Sequence, residues 1–200
     1  MYPRLPALSC AVLAAVFSPA LQADEHAHHH HAASALSRSE VAYSSPRVSL
    51  RSQDGATLAF TDAIDDGRPV LLNFIYTSCT AICPPMTRIF AEVQNRLGPE
   101  RRRLHMVSVS IDPEHDTPRQ LKDYARQFGA DDNWIFLTGS SAASASVQKA
   151  FNAYRPDKMG HTPLTFLRRA PGQPWVRLDG LAQADRLLAE LGPTLAVPKP

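Results

Sequence analysis

The chain has 200 residues, 44% of them hydrophobic and 20% charged. That length and balance fit one domain with a sizeable core and exclude a multi-span membrane protein, a coiled coil and a wholly disordered chain. Lys+Arg is 21 against Asp+Glu at 19, and a net charge of +2 gives no footing for nucleic acid or another polyanion as the main partner.

Residues 1–23 read as an export signal. Arg4 supplies the positive start, and Ala7 to Ser18 is an uncharged apolar run. Pro19 breaks the run, and Leu21-Gln22-Ala23 ends in a small residue suited to cleavage. The run is short for a membrane-spanning helix, which needs roughly 20 apolar residues. The expected location is therefore the bacterial periplasm, with a membrane anchor as the alternative if the signal is retained. Cys10 falls inside the leader as an ordinary apolar residue.

Residues 24–46 show no hydrophobic period and read as a flexible tail. The tail holds five of the eight histidines: His26, His28, His29, His30 and His31. Such a tract is an accessory site for borderline metals. Cleavage after Ala23 would also create an Asp24-Glu25-His26 terminus, whose amine, amides and imidazole suit square-planar Cu(II) or Ni(II).

The domain proper is read over residues 47–192, with a short C-terminal tail over 193–200. Arg47–Leu50 and Thr57–Phe60 flank Asp54-Gly55 and predict a hairpin. Val70–Tyr76 is a nearly continuous apolar run, the pattern of a strand buried on both faces. A helix follows from Pro84 to Leu97, with Met86, Ile89, Phe90, Val93 and Leu97 in one stripe. Leu104–Ile111 predicts a second interior strand. Thr117-Pro118-Arg119-Gln120 has the form of a capping box that opens a helix ending at Gly129. Trp134–Leu137 reads as a strand and Ser141–Tyr154 as a helix with Tyr154 on its buried face. Leu164–Leu167 and Trp175–Leu178 pair around Pro171-Gly172, and Ala184–Leu191 closes the domain as a helix. Strands alternating with helices predict an α/β domain with a mixed sheet.

The segment that carries chemistry is Tyr76-Thr77-Ser78-Cys79-Thr80-Ala81-Ile82-Cys83-Pro84. An oxidising compartment allows a disulfide between Cys79 and Cys83. So small a loop constrains the unfolded chain little, which favours a functional pair over a staple. Pro84 suits the first helical position and places Cys83 near the N-cap, where amides and the helix dipole predict a lowered thiol pKa. Among other donors, His105 sits within a strand, His115 in an exposed loop, and Met86 on a core stripe. His161 follows a Lys158-Met159-Gly160 turn and precedes a strand, where sites collect in α/β sheets. Those positions alone leave its role open.

YTSCTAICP over 76–84, SIDPEHDTP over 110–118 and His161 occur in the order and at separations that resemble the Sco/SenC family of copper-handling proteins. The resemblance runs over about residues 47–192. It implies a thioredoxin-like fold, a mixed central sheet flanked by helices with an N-terminal hairpin. It also implies one copper ion, Cu(I) or Cu(II), held by Cys79, Cys83 and His161. Soft thiolates favour Cu(I), and an added imidazole allows Cu(II). The implied role is assembly of the dinuclear copper centre of cytochrome c oxidase. The implied partners are its copper-bearing subunit or another copper chaperone. A thiol-disulfide oxidoreductase using Cys79 and Cys83 is the alternative. Asp112 and Asp116 match the family's acidic loop; a turn at Asp112-Pro113 and a helix start at Asp116 are the favoured account of them, with partner docking or tuning of the site as the alternative. The leader departs from the anchored members, and Thr162-Pro163 after His161 introduces a proline whose cis form would add an oxidoreductase feature.

Overall fold

The computed structural model describes residues 36–195. The predicted export signal and the histidines at 26 and 28–31 lie outside the described residues, as do residues 196–200. In chain order the strands and helices are β1 (Ser37–Val41), β2 (Ser49–Ser52), β3 (Thr57–Ala59), α1 (Phe60–Ile64), β4 (Val70–Ile75), α2 (Cys83–Leu97), β5 (His105–Ser110), α3 (Pro118–Gln127), β6 (Trp134–Thr138), α4 (Ser141–Ala150), β7 (Leu164–Arg168), β8 (Trp175–Asp179) and α5 (Ala184–Leu191). The described strands form one mixed sheet in the order β1-β8-β7-β4-β5-β6-β2-β3.

β4 is the centre, and every residue in it is buried. It runs parallel to β5 on one side and antiparallel to β7 on the other. Because side chains alternate along a strand, Leu71 and Ile75 face a layer that includes Phe90, Val93, Leu121 and Leu187 of α2, α3 and α5. Val70, Leu72 and Phe74 face Phe60, Ile64, Val147 and Phe151 on the opposite side. This two-layer cover explains why the sequence run has no polar alternation. It also leaves the carboxyl ends of β4 and β5 as the place where two loops meet. α3 opens with the capping box: Thr117 Oγ1 accepts from the Gln120 amide at 3.3 Å, and Gln120 Oε1 accepts from the Thr117 amide at 2.9 Å.

Several boundaries move. The predicted tail ends earlier than expected, because Ser37–Val41 pairs antiparallel with β8. β1 carries little apolar signal because it is a mostly exposed edge strand held by backbone bonds and charge. The predicted strand at 47–50 lies at 49–52, and Phe60 begins α1 rather than ending a strand. α4 stops at Ala150, where Asn152 takes φ 52, so Tyr154 is exposed at 37% and not on a buried helix face. At the far end Leu195 is buried, which places part of the predicted C-terminal tail in the core.

β1 is strapped to α5 by an ionic cluster. Arg38 Nε donates to Glu190 Oε1 at 2.8 Å, and Arg186 and Arg169 approach the same carboxylate at 2.7 and 3.3 Å. Burial opposes ionisation of Glu190, but Arg38 and Arg186 outweigh it and hold the carboxyl below its ordinary 4.5. A carboxylate with a lowered folded pKa adds stability above the unfolded pKa and loses it as pH falls through the folded one. Glu190→Gln is therefore expected to cost about 1 kcal/mol at neutral pH. Urea melts of the two proteins should converge in acid. A difference independent of pH would remove the ionic explanation.

Candidate metal centre

The loop after β4 is anchored before it reaches its first cysteine. Asp116, 1% exposed, accepts the Thr77 amide at 3.2 Å on both carboxylate oxygens. It also accepts the Thr77 hydroxyl at 2.5 Å and the Ser110 hydroxyl at 2.6 Å. Burial pushes the Asp116 carboxyl up in pKa, and these donors pull against that shift. Reading Asp116 as part of a helix start missed this bracket between the loops after β4 and β5. Periodicity does not reveal a buried aspartate in a loop. The Asp-Pro-x-x-Asp spacing beside a cysteine loop was the available signal.

Both cysteines are free thiols, so the anticipated Cys79–Cys83 disulfide is not formed in this structure. The Cys79 amide donates to the Tyr76 carbonyl at 3.2 Å and closes a turn. Cys83 is the first residue of α2 rather than a residue before it, and Ile82 is the N-cap. Pro84 and Pro85 follow in the first turn, where a missing N–H removes no helical hydrogen bond. The Cys83 amide points at Cys79 Sγ at 3.4 Å.

This geometry reverses the predicted acidity. Burial disfavours the Cys79 thiolate, but the amides of Cys83, Ala81 and Ile82 outweigh it and hold this thiol below its ordinary pKa. Cys83 is fully buried behind it, and burial pushes its thiol well up. The helix N-terminus therefore serves the sulfur in front of it, not the sulfur on its first residue. Cys79 borders a cleft of ≈ 370 Å³ shared with Thr77, Pro84, Pro85, Arg88 and Phe128. Brief alkylation of the reduced protein should label Cys79 before Cys83, with a rate midpoint below 9, the ordinary thiol value. Peptide mapping that found Cys83 labelled first would overturn this order.

His161 comes from the other side of β4. The β4–β7 register pairs Asn73 with Thr165. Continued through the next residues, it sets His161 level with Thr77. Asp157 caps the preceding turn by accepting the Met159 amide at 2.9 Å, and the His161 amide donates to the Lys158 carbonyl at 3.1 Å. His161 Nε2 lies 3.0 Å from the Phe74 carbonyl. A carbonyl only accepts, so Nε2 carries the proton and Nδ1 keeps a lone pair. Burial lowers the imidazole pKa, which favours the neutral form a metal requires. The Thr162–Pro163 bond is trans, so the oxidoreductase-like cis proline is not present.

Tyr76 is the residue common to both halves. Its carbonyl holds Cys79, and its ring centroid lies 6.4 Å from that of His161. Lys158 Nζ reaches Asp112 at 2.6 Å, which ties the histidine turn to the acidic loop. Asp112 thus has a structural partner of its own. The structure brings Cys79 and Cys83 together and sets His161 on the adjoining turn. Among the described residues, no three His, Cys, Asp or Glu side chains are gathered closely enough to hold a metal ion. Two thiols of unequal acidity and, on the adjoining turn, a neutral imidazole are donor types that suit copper.

The other donors stay apart from this set. His105 Nε2 contacts the Ala63 carbonyl at 2.6 Å at the opposite end of β5. His115 is largely exposed against Asp112, and Met86 is buried in the core.

Residues 39–196 match the SCO1/SenC family. The chain belongs to the SCO1/SenC family. It is 38% identical over 107 residues to the SCO1 protein homolog of Bacillus subtilis, a match that covers 52% of this chain and 54% of that protein. The chain spans about half the length of the first curated relatives it matches. Among solved structures, BsSco is described as having a disulfide switch and belongs to the Sco family of cytochrome c oxidase assembly proteins. It superposes with TM-score 0.66 at 28% identity, covering 78% of this chain and 96% of that one. Bradyrhizobium japonicum ScoI with copper bound gives TM-score 0.61 at 27% identity, covering 74% and 96%. This SCO1/SenC chain accordingly has the thioredoxin-like fold predicted from its motifs.

Proposed function

We propose that this SCO1/SenC protein is an exported copper carrier that holds one Cu(I) or Cu(II) through Cys79, Cys83 and His161. It delivers copper toward the dinuclear centre of cytochrome c oxidase, to the copper-bearing subunit or through another copper chaperone. The observation that carries the proposal is the pairing of an amide-stabilised Cys79 sulfur with a neutral His161 whose Nδ1 is left with a lone pair. The copper-bound relative from Bradyrhizobium japonicum supports the same reading.

The chain's own groups divide the work. Cys79 deprotonates first and offers the initial thiolate, and Cys83 releases its proton when a cation compensates its burial. The Phe74 carbonyl fixes the imidazole tautomer, and Asp116 keeps the start of the cysteine loop in place. Turn closure onto the thiolates completes the ligand set. A target then replaces the three ligands one at a time. The tract at His26 and His28–His31 would raise the local copper supply.

The test is anaerobic copper titration of the reduced protein with those tract histidines changed to serine. One copper per chain, lost on Cys79→Ser, is expected. Weak binding that Cys79→Ser leaves unchanged would end the proposal.

The unequal thiols favour a second reading, a thiol-disulfide exchange role in which Cys79 attacks and Cys83 resolves. The disulfide switch in BsSco supports it. Reduction of a target's copper-site cysteines by the copper-free protein would establish it, and oxidation of the pair would abolish copper binding.

A further inference from the structure

The copper-delivery reading leaves Met159 without a task. This side chain is 74% exposed, whereas the other exposed large apolar residues among those described, Leu36, Tyr154 and Leu181, lie between 37% and 41%. An unbranched thioether standing in water contributes no core packing. Its position is nevertheless held. The turn Lys158–Gly160 is closed by Asp157 at the Met159 amide, and Lys158 is tied to Asp112. The Tyr76 hydroxyl donates to Met159 Sδ at 3.7 Å. Tyr76 is the same residue that contacts Cys79 through its carbonyl and faces His161 through its ring.

We propose that Met159 is a transfer ligand for Cu(I) at the rim of the site, taking the ion from a donor and passing it to Cys79. A thioether is soft, uncharged and has no proton to lose, so it accepts Cu(I) readily and Cu(II) poorly. One sulfur lone pair takes the Tyr76 hydrogen bond and the other remains for the metal. In the first step the Cu–Sδ bond forms and one donor–copper bond breaks. In the second, the Cys79 sulfur bonds to copper, its proton goes to water, and the Cu–Sδ bond breaks. Copper remains Cu(I) throughout. Delivery is the same sequence reversed.

A ligand that acts only in transit changes rates and not the final equilibrium. The experiment uses the exported chain with its His tract intact, as wild type and as Met159→Leu. Cu(I) is presented as its bicinchoninate complex without oxygen, and transfer is followed by loss of the chelate colour. Met159→Leu is expected to slow Cu(I) loading about tenfold and unloading by the same factor, with unchanged affinity. Loading of Cu(II) from its sulfate should be unaffected. Equal Cu(I) rates in the two proteins would overturn the proposal, as would a lower affinity with an unchanged loading rate. An equal slowing of Cu(II) would also overturn it, because shape rather than softness would then be responsible. If the wild type takes up no copper dependent on Cys79, the delivery reading itself fails, a result separable from every outcome for Met159.

Discussion

Replacing His161 with alanine is expected to lower Cu(II) affinity by at least about 100-fold. Outer partners of metal ligands commonly account for about 10–100-fold in affinity, so a ligand itself should account for no less. Cu(I) should weaken less, because two thiolates already satisfy a soft ion. The contrast between the two oxidation states is the informative quantity. The comparison is made with the tract at His26 and His28–His31 changed to serine in both proteins, so that its imidazoles do not mask the loss. Visible absorption of the thiolate–Cu(II) bond and competition with a chelator supply the affinities. Equal Cu(II) affinities would show that the imidazole is not a ligand and that its place beside Tyr76 is structural.

The second large effect concerns Asp116. Asp116→Ala is expected to destabilise the domain by about 3 kcal/mol, since hydrogen bonds to a charged acceptor contribute about 1.5–3 kcal/mol each and buried donors are left unpaired. At about 2–4 °C per kcal/mol for a domain of this size, the melting temperature should fall by roughly 10 °C. The alanine variant recovers the cost of burying the carboxylate, but the loss of an acceptor for the Thr77 amide and for the Thr77 and Ser110 hydroxyls outweighs it. Amide exchange at Thr77 should rise more than global unfolding explains. The pH dependence has a defined sign. Burial raises the Asp116 pKa above its ordinary 3.8, so the folded state holds that proton more tightly than the unfolded state. Its contribution then declines as pH climbs from 3.8 to the folded value. Asp116→Asn should remove that decline in urea melts taken across acidic pH. An alanine variant as stable as wild type would show that the bracket is dispensable.

Much of the core was legible from the sequence because burial on both faces leaves a simple trace. Val70–Ile75 and the helix stripes obey it, and so does the capping box at Thr117. The cysteine loop between a buried strand and a helix was legible, but its charge distribution was not. Proline after Cys83 marked a helix start correctly, yet a shift of one residue in that start exchanged the roles of the two thiols. The sulfur facing the helix amides is four residues away from the helical cysteine, and no local propensity reports that contact. β1 was invisible for a different reason. An edge strand that is mostly exposed needs no apolar alternation, and its partner β8 is far along the chain. Asp116, Lys158 and Met159 escaped because each acts across a gap in sequence. Asp116 reaches Thr77, Lys158 reaches Asp112 and Met159 reaches Tyr76.

The direction of β1 has a practical corollary. Ser37 is registered opposite Asp179, and Asp179 opposite Leu164, three residues beyond His161. The polypeptide thus enters its first strand at the end of the sheet that carries the candidate metal site. Leu195 instead shares a surface depression with Arg68 and Pro69, at the amino end of β4. The two ends of the folded unit have opposite polarity with respect to the chemistry. A reporter or immobilising group joined just ahead of Ser37 is expected to stand at the same end of the sheet as the candidate site, whereas one joined after Leu195 stands at the opposite end.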